Sequence, residues 1–231
     1  MQLMTSIRNL FLLGIALFAT SALYAQVSVG VRAGYQNASV RLTENLDALA
    51  PDFRAVDGYN IGAVAEIPLG RGFAFQPELS VSRKGFMLNE GTQLDLFNIP
   101  IPVNVEAESR FTYLEAPMLL KYKAGEGPVQ AYFTAGPSIG YATAGRLITR
   151  ANALLEIELL NTDIDLQSIN YEQLELSAIA GVGLSVQAGS VQIFADARYQ
   201  HGFTELYDIP LINERIRNRS FGLNMGVLLP L

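Results

Sequence analysis

The sequence predicts an all-β fold, an eight-stranded antiparallel up-and-down barrel. Three observations carry that prediction. Apolar side chains recur at every second position in eight separate segments, the links between segments alternate short and long, and the intervening positions hold charges that a dry core would not tolerate.

The first segment sets Val27, Val29, Val31, Ala33 and Tyr35 against Ser28, Gly30, Arg32, Gly34 and Gln36. In the second, Tyr59, Ile61, Ala63, Ala65 and Ile67 alternate with Asn60, Gly62, Val64 and Glu66. The third pits Phe73, Phe75, Leu79 and Val81 against Gln76, Glu78, Ser80 and Ser82. The fourth places Leu114, Ala116, Met118, Leu120 and Tyr122 between Glu115, Pro117, Leu119 and Lys121. A fifth row runs from Val129 to Tyr141, a sixth from Leu174 to Val186, and a seventh from Val191 to Tyr199. The eighth is the terminal SFGLNMGVLLPL, where Phe221, Leu223, Met225, Val227, Leu229 and Leu231 enclose Gly222, Asn224 and Gly226. Pro77, Pro117 and Pro137 fall inside these rows. Proline has no N–H for a ladder, so each should mark a bulge or a locally unpaired position.

Residues 68–71, 124–127 and 188–190 form short links, whereas 37–57, 87–110, 144–170 and 201–217 form long ones. Strict sorting of this kind, with an even strand number and both termini on the short side, is how transmembrane barrels are strung: short periplasmic turns and four longer external loops. Residues 1–25 fit this destination. Arg8 precedes the apolar run Leu10–Phe18, and small residues lead to Ala25, the pattern of a cleavable signal peptide. The mature barrel domain would then be residues 26–231. After Gln26 no continuous apolar stretch is long enough to cross a bilayer as a helix, so a membrane passage must use strands.

The 231 residues are half hydrophobic and 16% charged, with a net charge of −6 and no Cys. Disulfides, thiol chemistry and Cys-based metal clusters are excluded. Without a run of Lys or Arg, nucleic acid is not an expected partner.

The charged positions of the second face are Arg32, Glu66, Glu78, Glu115, Lys121, Glu175, Asp196 and Arg198. An eight-stranded barrel has an interior that side chains just fill, so these residues are expected to form a ladder of ion pairs across the lumen while the apolar rows face lipid. Aromatics agree with this orientation. Tyr35, Tyr59, Tyr141, Tyr199 and Phe221 share the outward parity at the long-loop ends, and Phe73 and Tyr122 at the short-turn ends, as two girdles without Trp.

The segments FQPELSVSRKG (75–85), YLEAPMLLKYK (113–123) and AGPSIGY (135–141), with the terminal strand, resemble the PorT-like outer-membrane β-barrel family of Bacteroidetes. The resemblance covers nearly the whole mature chain. It implies an integral eight-stranded barrel, and a role near protein secretion, without assigning a residue to that task.

Candidates for chemistry are sparse. His201 is the only histidine; with Asp196, Asp208 and Ser220 it would have to build a Ser–His–acid site, but no nucleophile motif accompanies it and Asp196 has the inward parity. Asp163 and Asp165 in NTDID lack the Gly and terminal Glu of a calcium loop, and GVGLS (181–185) lies mid-strand with no helix to cradle phosphate. No enzyme activity, cofactor or metal is therefore expected. Two long links retain alternation: Leu94, Leu96, Ile99, Ile101, Val103 and Val105 in one, and Leu155, Ile157, Leu159, Ile164 and Leu166 in the other. These can raise hairpins whose edges meet another protein, or simply extend the barrel. The expected function is a monomeric outer-membrane protein with a plugged polar lumen, structural or interacting through its external loops. A narrow pore and a soluble lipocalin-like binding barrel are the alternatives.

Overall fold

The computed structural model describes residues 27–41, 53–96, 99–152, 156–166, 171–204 and 217–231. The expected signal peptide, Leu155 and Asp208 lie outside them. Period-two rows become nine strands: β1 (Ser28–Arg41), β2 (Phe53–Gly70), β3 (Phe73–Leu96), β4 (Ile99–Ala124), β5 (Val129–Asn152), β6 (Glu156–Ile164), β7 (Leu174–Ala188), β8 (Val191–Gly202) and β9 (Arg217–Pro230). All pairings are antiparallel. Neighbours in sequence are neighbours in space, except that β7 pairs with β5 and not with β6, and β1 pairs with β9 to close the wall.

Eight strands therefore close the barrel, and β6 is an addition that among the described residues pairs only with β5. The expected strand lengths were too short at the long-loop end. β3 and β4 keep one register from Phe73↔Tyr122 to Leu96↔Ile99, so most of 87–110 is a hairpin continuing the wall. β5 likewise runs on to Asn152, where it pairs with Asn104. Sustained alternation beyond the aromatic rows is the reason, since each added pair satisfies backbone groups that a loop would leave to water.

At the opposite end the links are tight. β7 and β8 are separated by Gly189 and Ser190 alone, with Gly189 at φ 65°; Arg71, at φ 54° between Gly70 and Gly72, turns β2 into β3. The prolines interrupt pairing without shifting register. Pairs are missing between Val64↔Glu78 and Ile67↔Phe75, between Pro77↔Met118 and Ser80↔Glu115, and between Pro117↔Ser138 and Leu120↔Ala135. Each proline thus faces a gap toward the preceding strand and pairs with the following one, Pro137 with Ala178. Register does shift elsewhere, at Thr112/Tyr113, where Thr143 is the extra residue of β5.

The wall has opposite faces. Leu223 is 55% exposed and its neighbour Asn224 only 6%. Val31, Ile61, Leu79, Val182, Leu184 and Met225 are exposed on the outside, while the charged parity is buried inside.

Candidate functional site

Inside the barrel the polar parity of eight strands converges into three tiers. In the middle tier Glu78 on β3 receives two guanidinium groups. Arg32 from β1 and Arg198 from β8 both reach its Oε2, the latter at 3.0 Å. Arg198 Nη2 also donates to Asp196 Oδ2 at 2.9 Å, and the Tyr132 hydroxyl donates to the same oxygen at 3.0 Å. Neutral amides complete the tier: Gln76 Nε2 donates to Glu78 Oε1 at 2.6 Å, Asn224 Nδ2 to Asp196 Oδ1 at 2.8 Å, and Asn60 Nδ2 to Asn224 Oδ1 at 2.8 Å. Guanidinium suits this place because its fork can serve two carboxylates at once.

The tier toward the long loops has one cation between two carboxylates. Lys84 Nζ lies 2.7 Å from Glu115 and 3.4 Å from Glu175. Gln200 Nε2 donates to Glu115 at 2.8 Å and Asn218 Nδ2 to Glu175 at 2.9 Å. Toward the short turns Glu66 meets Lys121 at 2.9 Å and also Lys123, whose Nζ donates to Gln192 at 3.2 Å.

One apolar cluster caps this ladder and another is set within it. Phe86, Phe111, Tyr113, Ala142, Leu166 and Tyr171 pack at the long-loop end, with Phe111 and Tyr171 stacked at 4.5 Å and the Tyr113 and Tyr171 hydroxyls bonded. Val64, Tyr132, Phe194 and Leu228 form a second cluster, and the Lys121 ammonium sits 3.9 Å from the Tyr132 ring. The cavity lined by Arg32, Asn60, Glu115, Arg198, Gln200 and Asn224 measures about 40 Å³. It has room for a few waters.

All eight residues expected in the lumen are buried on the inner face. Sequence reading missed Lys84, Lys123, Gln200 and Asn218, all of which share that parity and lie just past the ends of the apolar rows. Leu166, expected on an external hairpin, belongs to the aromatic cluster instead. The seven aromatics Tyr35, Tyr59, Phe73, Tyr122, Tyr141, Tyr199 and Phe221 all stand outward and exposed, and the Phe73 and Tyr122 rings lie 4.8 Å apart. Past the outer aromatic row, Asp57 accepts from the Tyr35 hydroxyl and from Asn37 Nδ2 at 3.0 Å, and these donors hold its carboxyl below the usual range.

The structure does not bring the hydrolase candidates together. His201 packs between the outward rings of Tyr199 and Phe203, at 6.5 and 5.4 Å, whereas Asp196 and Ser220 are buried inside the wall. Asp163 bonds Arg146 at 3.1 Å. Within GVGLS, a Cβ on Gly181 would meet Arg198 Cγ at 2.7 Å and one on Gly183 would meet the Tyr132 ring at 2.5 Å, so these glycines make room for lumen side chains.

Known structures with related coordinates include the outer membrane protein OprG of Pseudomonas aeruginosa, 8% identical, with a TM-score of 0.46 over 90% of this chain and 97% of that one. The attachment invasion locus protein Ail of Yersinia pestis is 14% identical, with a TM-score of 0.39 over 88% and 99%. The outer membrane protease OmpT of Escherichia coli is 9% identical, with a TM-score of 0.32 over 89% and 96%. No curated protein matches the sequence. Residues 19–208 match the family described as outer membrane protein beta-barrel domain, so the chain belongs to that family.

Proposed function

We propose that the protein is a non-enzymatic component of the outer membrane, its lumen a fixed ionic plug and its long-loop end a surface for another protein. Family membership supports the outer-membrane location, and the N-terminal pattern supports export through a cleavable signal peptide. The observation that carries the plugged reading is the lumen itself: paired charges in three tiers, one apolar cluster capping them and another set within them, and about 40 Å³ of space between the middle and upper tiers. Its polar lining argues against an apolar ligand inside, as a lipocalin-like barrel would need.

The partner surface rests on β6. It pairs with β5 on one side and, among the described residues, no strand pairs with its other side, while Leu159 and Leu160 are exposed. An open edge with apolar side chains is a template for strand addition. The PorT-like resemblance makes a secretion-related partner the first choice.

The test is membrane fractionation with gels of heated and unheated samples, followed by planar-bilayer recording. A pelleted, heat-modifiable and electrically silent barrel is expected. Detergent-free solubility would revive the soluble reading, and steady single-channel conductance would replace the plug with a narrow pore.

A further inference from the structure

On three consecutive strands the outward apolar row ends in an arginine. β3 runs Leu79, Val81, Arg83; β4, read backward, runs Leu114, Thr112, Arg110; β5 runs Tyr141, Ala144 after its bulge, then Arg146. Register brings the three together, because Arg83 pairs with Thr112, Thr112 with Ala144, and Arg110 with Arg146 directly. Two guanidinium groups in directly opposed positions repel each other, and a sheet carries such a pair at a cost unless an anion lies between them.

The carboxylates nearby offset that cost only in part. Glu108 is engaged by Arg110 through Nε at 2.5 Å and Nη2 at 2.8 Å, and Arg150 stands 3.7 Å away. Asp163, 82% exposed, offers Arg146 a pair in full solvent, which is worth little. Arg83 lies 5.0 Å over the Tyr59 ring and has no carboxylate partner among the described residues. Between them a recess of about 160 Å³ is lined by Arg83, Arg110, Thr112, Arg146 and Asp163. In a chain with net charge −6, this is a local excess of cations.

We propose that this recess binds a phosphate monoester, and that its source is the headgroup of an anionic membrane lipid, not the choline-neutralised phosphodiester of a zwitterionic one. Guanidinium forks match phosphate oxygens bidentately, and basic pockets at the membrane boundary hold lipid headgroups. The place favours lipid over free phosphate, for the recess opens on the lipid-facing side beside Tyr59 and Tyr141, where acyl chains would give way to headgroups. This inference rests on the reading that the apolar face meets lipid.

The full chain is refolded into phosphatidylcholine vesicles, into the same vesicles doped with bisphosphorylated lipid A, and into phosphatidylcholine vesicles with inorganic phosphate. The midpoint of the heat-induced band shift is read in each. Lipid A should raise the midpoint and inorganic phosphate should not. The double variant Arg83→Gln, Arg146→Gln should lose the rise while its midpoint in plain vesicles stays level or increases, because the Arg110–Arg146 repulsion is gone and the Arg110–Glu108 pair is kept. A rise retained by the variant, or no rise in an inserted wild-type chain, overturns the site. An equal rise with inorganic phosphate overturns the lipid assignment. Failure to insert in any vesicle overturns the membrane reading instead.

Discussion

Two tiers of the same lumen solve the problem of buried charge differently. The middle tier balances two arginines against Glu78 and Asp196, with Arg32 on Glu78 alone and Arg198 bridging the two carboxylates. The tier above it places a single point charge, Lys84, between Glu115 and Glu175, and leaves the remaining negative charge to the amides of Gln200 and Asn218. Charge neutrality is thus not required tier by tier. What is required is at least one donor for every buried carboxylate.

The strongest way to break the contrast is Lys84→Met, which strands two carboxylates with amide partners alone. A loss of about 3–5 kcal/mol is expected, the usual penalty for removing one partner of a buried pair, with this variant at the upper end. Urea titration of the vesicle-inserted protein, followed by the band shift, measures it. Adding Glu115→Gln should recover part of the loss; no recovery would mean that Lys84 acts through packing rather than charge.

Glu78→Gln tests the other tier. Arg32 and Arg198 lose their shared negative charge and keep at most a neutral amide acceptor, yet Asp196 still faces Arg198, so one cation rather than two carboxylates is left without a counter-charge. The same measurement should give about 3 kcal/mol, the lower end of that range. If it exceeds the Lys84 effect, the guanidinium tier holds the barrel more tightly than the amide-completed one. Asn218→Leu comes next: it removes one hydrogen bond to a charged group and should cost about 1.5–3 kcal/mol in the upper tier alone.

Much of this was legible in the sequence because period two assigns every residue of a strand to one face. Arg32, Asp196 and Asn224 could be placed inside without coordinates. Strand ends were not legible. Arg83 and Lys84 follow the point where Val81 closes the apolar row, which assigns them to neither face, and pairing with β4 carries the strand onward and sends one in and one out. The partners were not legible either. Glu78 meets Arg198 from 120 positions away, a contact fixed by how eight strands stagger around the barrel, and stagger leaves no local pattern. The alternation of Ile157 and Leu159 did mark β6 as strand-like, but its pairing with β5 was not legible, because register between two segments leaves no local pattern.

The finest comparison uses two glycines on the inner wall, one beside each tier. At Gly181 an added Cβ would stand 2.7 Å from Arg198 Cγ, 2.9 Å from the Ala197 carbonyl oxygen and 3.1 Å from Thr134 Oγ1. The carbonyl cannot yield without moving the ladder, so Gly181→Ala should cost about 1–3 kcal/mol by overpacking. At Gly140, opposite Glu115 and Glu175, the nearest atoms are Tyr113 Cδ1 at 3.5 Å and Glu115 Cγ at 3.6 Å, ordinary contact distances. Gly140 is also not among the residues with positive φ, so Ala can take its backbone and reduce the freedom of the unfolded chain. Gly140→Ala should therefore be neutral or stabilise by about 0.4–1 kcal/mol in the same titration. Equal destabilisation at both sites would mean that the upper tier is as tightly packed as the middle one, and the looser, amide-completed tier would lose its distinguishing feature.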